Sequence, residues 1–381
     1  MCEDFYTSDH IAFRDSVRTY VEREVAPHLA EWDREHHISR TPWEKAGDQG
    51  FLGVMVPEEF GGNGARDFRY RCIVMDELAR VGAASLSAGI SMNEDIVSPY
   101  LVKLGSAEQQ ARWLPKLATG RAIAGIAMTE PGAGSDLRGM STTAVPRGDG
   151  WLLNGSKTFI TNGIEADFVI VAAKTGSERS SLGLFLVEDG MGGFSRGRQL
   201  DKIGLHAQDT AELFFDDVEL PPDALIGSAN GGFGHLMDNL PIERLAIAYY
   251  GLAGAAAAVQ WTIDYTKQRH AFGKRIIDFQ NTRFELASLV TETDVSRAYM
   301  QAQVLEFNRR QLTAEGAAKS KWWMTEMQKR VVDRCLQLFG GFGYMYEYPI
   351  ARAYVDARVQ TIYGGTTEIM KEIIGRALAA S

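Results

Sequence analysis

The chain has 381 residues, more than one ordinary hydrophobic core serves, since single cores stop growing at roughly 250–300 residues, so two or three domains are expected. Apolar residues make up 45% and charged residues 23%, the texture of a folded globular protein and not of a disordered or fibrous one. Forty basic residues against 49 acidic ones give a formal net charge of −9, which argues against a broad nucleic-acid-binding surface.

Up to about residue 122 the pattern is helical. Ile11, Val17, Tyr20, Val21 and Val25 recur at helical spacing up to Pro27, and Met75, Leu78, Ala79 and Leu86 predict another helix. The glycine-rich loop Gly61, Gly62, Asn63, Gly64 separates the two.

From about 123 to 230 short β-rich runs take over: Trp151–Leu153, Phe159–Thr161, Phe168–Ala172, Leu182–Val187 and Leu213–Phe215. Asp149-Gly150 and Asn154-Gly155 predict tight hairpin turns, because both residue types tolerate positive φ. Long helices are not interleaved, so a small sheet or barrel is expected and not a doubly wound parallel sheet.

From 231 to 381 the chain is helical again, with no proline between Pro241 and Pro349. Ala248, Leu252, Ala255, Val259 and Ile263 form one apolar stripe. Phe284, Ala287, Val290, Val304 and Phe307 form a second, and Val331, Cys335, Leu338 and Phe339 a third, which together predict an antiparallel bundle. The domains expected are therefore 1–122, 123–230 and 231–381.

Three separated cysteines (Cys2, Cys72, Cys335) and no HExxH predict neither a disulfide framework nor a metal site. The acidic start, without the basic residues of a targeting peptide, and an apolar stretch Leu245–Val259 too short to span a bilayer predict a cytoplasmic protein with no integral membrane segment. Gly132-Ala133-Gly134-Ser135-Asp136-Leu137 begins like a dinucleotide-binding fingerprint but ends on Leu137 and lacks the surrounding strand–helix–strand unit.

That same string belongs to a longer series. Ala127-Met128-Thr129-Glu130-Pro131-Gly132-Ala133-Gly134-Ser135-Asp136-Leu137 is followed in order by Asn154-Gly155-Ser156-Lys157-Thr158-Phe159-Ile160-Thr161-Asn162-Gly163 and by Arg269-His270-Ala271-Phe272-Gly273 with Gln280. Gln337-Leu338-Phe339-Gly340-Gly341-Phe342-Gly343-Tyr344 and Tyr363-Gly364-Gly365-Thr366-Thr367-Glu368 close it. The five landmarks resemble those of the acyl-CoA dehydrogenase family.

The resemblance implies a mainly α protein with a central β domain: an N-terminal helical domain, a middle β-barrel-like domain and a C-terminal four-helix bundle. It also implies FAD as cofactor, introduction of a trans α,β double bond into an acyl-CoA thioester, electron-transferring flavoprotein as electron acceptor, and a homotetramer built as a dimer of dimers. By the same resemblance Met128, Thr129, Gly134 and Ser135 lie along the flavin, with Ser135 also near the CoA phosphates, and Phe159, Ile160 and Thr161 cover one flavin face. Arg269, Phe272 and Gln280 reach the FAD pyrophosphate from a neighbouring subunit, where a guanidinium fork suits phosphate oxygens. Gln337, Gly340, Gly341, Thr366, Thr367 and Glu368 complete the cofactor site.

The reaction needs a carboxylate to take the α proton. Many members of the family carry it directly after the tyrosine of a Tyr-Glu-Gly-Thr motif, a slot filled here by Gly364. A long-chain and isovaleryl-type subgroup carries it early in the first bundle helix, and Leu240-Pro241-Ile242-Glu243-Arg244-Leu245 matches that position, making Glu243 the candidate base. Read from position alone, Glu243 is an ordinary acidic residue in the first turn of a helix that Pro241 opens. Arg244 is expected beside substrate or base. Gly364 can keep a backbone role, its N–H donating to the thioester carbonyl, with Gly365 beside it at the substrate.

Tyr344 to Arg358 and Ile96-Val97-Ser98-Pro99-Tyr100 resemble the long-chain subgroup in particular, and Ser91, Met92 and Asn93 occupy a region that lines the acyl tunnel in relatives. The expected substrate is a medium-to-long straight-chain acyl-CoA. The alternatives are an isovaleryl or branched-chain dehydrogenase, an acyl-CoA oxidase, and a flavin-bearing nucleic-acid-binding relative.

Overall fold

The computed structural model describes residues 5–176 and 181–380; Cys2 lies outside them. Seven helices open the chain: α1 (Ser8–Tyr20), α2 (Leu29–Glu35), α3 (Thr41–Asp48), α4 (Arg69–Val81), α5 (Ala84–Ser91), α6 (Ser98–Leu104) and α7 (Ala107–Ala118). The predicted run through Leu86 is two helices, because Gly82 adopts φ +80° and ends α4 as its left-handed cap. Between α5 and α6 the helix widens into a π turn, Met92–Val97, which turns Asn93, Glu94 and Asp95 inward.

Eight strands follow: β1 (Ala124–Ala127), β2 (Thr143–Arg147), β3 (Gly150–Thr161), β4 (Phe168–Lys174), β5 (Leu182–Glu188), β6 (Phe194–Gln199), β7 (Thr210–Leu220) and β8 (Leu225–Ile226). They form one sheet in the order β6-β7-β3-β2-β4-β5-β8, with β1 parallel to β4. Two expected turns resolve differently. The β2–β3 hairpin turns at Gly148-Asp149, since Arg147 pairs with Gly150. Asn154-Gly155 is no turn at all. It lies within the 12-residue β3, where the pairing with β7 slips between Leu153 and Gly155. A Cβ on Gly155 would come within 2.5 Å of Thr142 Oγ1, so this glycine serves close strand approach at a bulge.

The rest is helical: α8 (Gly232–Gln268), a two-strand ribbon β9 (His270–Ala271) and β10 (Lys274–Arg275), then α9 (Gln280–Asn308), α10 (Ala314–Phe339), α11 (Pro349–Asp356) and α12 (Thr367–Ala380). Helix α10 packs on α8, α9 and α12. The apolar core between them includes Leu252, Val259, Met324, Val331 and Cys335. Phe284 departs from its predicted stripe and points outward at 61% exposure, leaving Leu286 and Leu289 as the buried face of α9.

Helix α8 alters two expectations. It begins nine residues before Pro241, which therefore lies inside the helix, and Glu243 is not a first-turn carboxylate. The apolar stretch around Leu245–Val259 belongs to a helix that by length and hydropathy could cross a membrane, yet 78% of its most apolar window is buried inside the protein, as a bundle core requires. Among the described residues no cluster of His, Cys, Asp and Glu is arranged to hold a metal ion, and Cys72 and Cys335 are buried and unpaired.

Candidate active site

Glu243 is 3% exposed, on the face of α8 that looks toward the N-terminal helices. One carboxylate oxygen accepts a hydrogen bond from Tyr100 of α6, Oη to Oε1 3.0 Å. Burial pushes its pKa up to about 7, against smaller opposing pulls from Tyr100, Arg244 and Lys103. Lys103 does not bond the carboxylate; its Nζ donates to Asn239 Oδ1 at 2.7 Å. Glu243 is thus a buried acid with one hydrogen bond and an ionisation near neutrality.

Tyr100 is also part of an apolar cluster that reaches the segment after β1 and includes Met92, Ile96 and Met128. Of the three residues expected along an acyl tunnel, Met92 alone is in that cluster. Ser91 donates to Asp95 Oδ2 at 2.6 Å, and Asn93 bridges the Ala122 carbonyl and the Ala124 N–H, stitching the N-terminal helices to β1.

Gly364 and Gly365 lie against the next turn of α8. A Cβ on Gly364 would meet Ile247 Cδ1 at 2.3 Å, and Ile247 stands four residues beyond Glu243 on the same helix face. A side chain at 364 would have to displace the Ile247 methyl and would sit on a backbone at φ +62° that disfavours any residue but glycine. Among the described residues the Gly364 N–H makes no hydrogen bond. Arg244 is 7% exposed, and its Nε has no hydrogen-bond partner among the described residues. A buried donor of this kind costs about 1–3 kcal/mol unless something outside the chain completes it.

Just past β1 come Met128 and Thr129, whose carbonyls are held by Lys157 Nζ at 3.2 Å and by the Thr158 N–H at 2.9 Å. Lys157 also pairs with Glu130 at 2.8 Å, and Glu130 further accepts from Ser141 and Thr142. These bonds outweigh burial and hold the Glu130 carboxyl down at about 2. Gly134 and Ser135 are exposed on the loop that this carboxylate closes.

In β3, Phe159 has φ +59° at a second register slip and is 68% exposed, an unfavourable backbone and an unfavourable exposure for an aromatic residue. Thr161 is half-buried beside it. Ile160 corrects the expectation for this triplet. Its side chain is 2% exposed in the β core, because successive strand residues face opposite ways, so only its backbone can meet a ligand.

A third group gathers at the far end of the bundle. Arg269 caps α8 and lies over the Phe342 ring at 5.4 Å; Phe272, at φ +51°, is 95% exposed. Gln280, Gln337, Gly340 and Gly341 are exposed as well, and a Cβ on either glycine would touch nothing. No hydrogen bond, ion pair or ring contact among the described residues ties this group to Met128, Thr129 or Glu243 of the same chain. Thr366 and Thr367 open α12, where the Thr366 hydroxyl accepts from the Ile369 N–H, the Thr367 hydroxyl donates to Glu326 at 2.8 Å and Glu368 is exposed.

Comparison with known proteins gives this geometry its family. The chain matches the models for the N-terminal domain of acyl-CoA dehydrogenases over residues 7–121, the middle domain over 125–218 and the C-terminal domain over 230–379. It is 49% identical to the mitochondrial long-chain specific acyl-CoA dehydrogenase of Sus scrofa, over 98% of this chain and 87% of that protein. An acyl-CoA dehydrogenase crystal structure from Geobacillus kaustophilus superposes with a TM-score of 0.95 at 45% identity, covering 98% and 99% of the two chains. A Mycobacterium smegmatis glutaryl-CoA dehydrogenase in complex with FADH2 superposes with a TM-score of 0.94 at 27% identity, covering 100% and 97%. The chain belongs to the acyl-CoA dehydrogenase family. It is an FAD-dependent oxidoreductase of acyl-CoA thioesters.

The residues present suit FAD. The exposed Phe159 offers a flat apolar face, and the open glycines of the 132–134 loop admit close backbone approach. Sequence reasoning missed Tyr100 as the partner of Glu243, although it lay in a stretch singled out for its resemblance. It also missed the Glu130–Lys157 clamp, both of whose members stood in quoted motifs, and Lys321, which no motif contained.

Proposed function

We propose that the protein dehydrogenates medium-to-long straight-chain acyl-CoA, with Glu243 as the base that removes the α proton. The observation that carries this reading is the pairing of a buried, singly hydrogen-bonded Glu243 with an Ile247 that fills the side-chain space at Gly364. One position holds a carboxylate, and the other is a glycine at φ +62° with the Ile247 methyl packed where a side chain would start. Burial raises the basicity of Glu243, so that it ionises near pH 7 and still has the driving force to take a proton. Tyr100 fixes the orientation of the carboxylate through Oε1.

The Gly364 N–H, free of intramolecular partners, donates to the thioester carbonyl and so acidifies the α C–H. Arg244 offsets negative charge beside the base. FAD, when bound, supplies the hydride acceptor for the β carbon. Met128, Thr129, Gly134, Ser135, Phe159 and Thr161, with the backbone of Ile160, line its flavin side. Arg269, Phe272, Gln280, Gln337, Gly340, Gly341 and the start of α12 at Thr366, Thr367 and Glu368 serve its pyrophosphate and adenosine. Because the Arg269 group is exposed and separate from the Glu243 group, we assign it to the cofactor of a neighbouring subunit in a homotetramer. Electron-transferring flavoprotein is the acceptor in this reading. A reducing compartment, the cytoplasm, fits the unpaired Cys72 and Cys335, whereas the Sus scrofa relative is named as mitochondrial.

Preference for long straight chains is supported by the long-chain relative and by the flexible Met92 in the apolar cluster that contains Tyr100. Anaerobic titration with acyl-CoAs of graded length and branching, followed by flavin absorbance, tests it. Reduction fastest with long straight chains is expected; reduction by isovaleryl-CoA alone contradicts the substrate assignment. Reoxidation by air as fast as by electron-transferring flavoprotein contradicts the acceptor.

A further inference from the structure

The Gly364–Gly365 turn is lightly held backbone at a position where orientation matters. Gly364 has φ +62° and Gly365 φ +97°, and consecutive glycines have more conformations to lose than any other pair. Among the described residues, the one hydrogen bond made by the backbone of these two glycines is accepted by the Gly365 carbonyl, from Lys321 Nζ at 2.5 Å.

Lys321 lies on α10 and is fully buried. It forms no ion pair among the described residues. The charges facing it are Arg244, Glu326 and Glu368; burial and then Arg244 push its pKa down to about 7. Glu326 is engaged elsewhere, with Thr367 Oγ1 and Lys329 Nζ each at 2.8 Å, and Glu368 is exposed. An amine buried here for packing alone costs more than a methionine of similar length, since among the described residues a single carbonyl is its hydrogen-bond partner.

Its placement gives it a use. Lys321 Cε lies 4.0 Å from where a Gly364 Cβ would stand, Ile247 of α8 closes the other side at 2.3 Å, and Arg244 Nη2 lies 3.8 Å from the equivalent point on Gly365. The turn is gripped between α8 and α10, and Lys321 is the side chain that hydrogen-bonds it. We propose that Lys321 is a positioning residue for dehydrogenation, holding the Gly364–Gly365 turn so that the Gly364 N–H stays aimed at the thioester carbonyl.

This rests on the reading of Gly364 as a carbonyl donor, and the test separates the two. The probe is a long-chain trans-2-enoyl-CoA, labelled with carbon-13 at the thioester carbonyl and bound to the FAD-loaded protein. The readout is the infrared carbonyl stretch, which falls in frequency as the carbonyl is hydrogen-bonded. The wild-type band is expected below its position in water. In Lys321→Met it returns most of the way and broadens, while kcat falls about 10- to 100-fold with KM within about threefold, since an oxyanion donor is worth roughly 10²–10³ when aimed. Lys321→Gln, whose amide nitrogen ends one bond short of Nζ, is expected to act in the same direction, and it stands in if the methionine variant does not fold.

An unshifted wild-type band overturns the role of Gly364 and this proposal with it. A shifted wild-type band that stays put in a folded Lys321 variant, with kcat unchanged, overturns the role of Lys321 alone.

Discussion

Two buried glutamates, one beside the β domain and one in the helical bundle, have opposite chemistry. Glu130, just past β1, accepts from Lys157, from the Ser141 hydroxyl and from the Ser141 and Thr142 amides, and its pKa sits at about 2. Glu243, on α8, has Tyr100 as its one hydrogen-bond donor, and its pKa sits at about 7. Both side chains are nearly inaccessible, but Glu243 lies deeper among protein atoms, so heavier desolvation raises its pKa, while the larger number of donors pulls that of Glu130 down. The lysines follow suit: Lys157 bonds a carboxylate as well as the Met128 carbonyl, while among the described residues Lys321 bonds a carbonyl alone. Among the described residues, Glu130 and Lys157 on the β side satisfy one another and the backbone around them. The helical side keeps Glu243 underbonded and, among the same residues, the Arg244 Nε without a partner and the Gly364 N–H free, the condition of a region completed by what binds to it.

The contrast breaks first at Glu130. Glu130→Ala strands Lys157 in the interior, and equilibrium unfolding is expected to show a loss of about 3–5 kcal/mol together with lower FAD retention. A loss under 1 kcal/mol would mean that the clamp carries little.

Glu243→Gln is expected to do the reverse. The pKa of Glu243 is raised from 4.5 to about 7 on folding, so its favourable contribution is complete below pH 4.5 and lost as pH rises through 7. Replacing it with a neutral amide should therefore stabilise the protein by up to about 3 kcal/mol at pH 8 and leave stability near pH 4 unchanged. Glu130 has the opposite slope: its contribution is present above 4.5 and fades toward pH 2. Thermal melts across pH would refute the comparison if both variants changed stability in the same direction at pH 8.

Gly364→Ala tests the filled space beside the base. Its methyl meets Ile247 Cδ1 at 2.3 Å on a positive-φ backbone, so about 2 kcal/mol of destabilisation is expected, partly recovered in Ile247→Ala/Gly364→Ala. No recovery in the double variant would remove Ile247 from the account.

The smallest effect belongs to Tyr100→Phe. The wild-type kcat/KM is expected to rise with pH through about 7, as Glu243 loses its proton. Without the Tyr100 donor that midpoint moves up by about one unit, the worth of one hydrogen bond to a charged group. A profile with an unmoved midpoint would show that Tyr100 does not set the basicity of the acid.

The order of helical, β and helical regions was legible in apolar spacing, because each region repeats its own period over many residues. Local signals failed where a distant contact decided the outcome. Asn154-Gly155 has the composition of a turn, but Thr142 lies so close that the glycine serves a bulge. Pro241 has the look of a helix start, but the buried stripe continues through it. Phe284 fits its stripe by spacing and faces outward all the same.

The site divides in the same way. Glu243, Gly364 and the glycine loops stood in motifs and could be named from sequence. Tyr100, 143 residues before Glu243, and Lys321, 44 before Gly365, become partners only once α6, α8, α10 and the start of α12 pack together. No spacing in the chain announces such pairs.

The most direct test is anaerobic single-turnover flavin reduction by palmitoyl-CoA in wild type and Glu243→Gln at equal FAD content, near pH 8. The account predicts a fall of about 10³-fold, within the range of a lost general base, with folding and FAD binding intact. Reduction within tenfold of wild type would contradict Glu243 as the base.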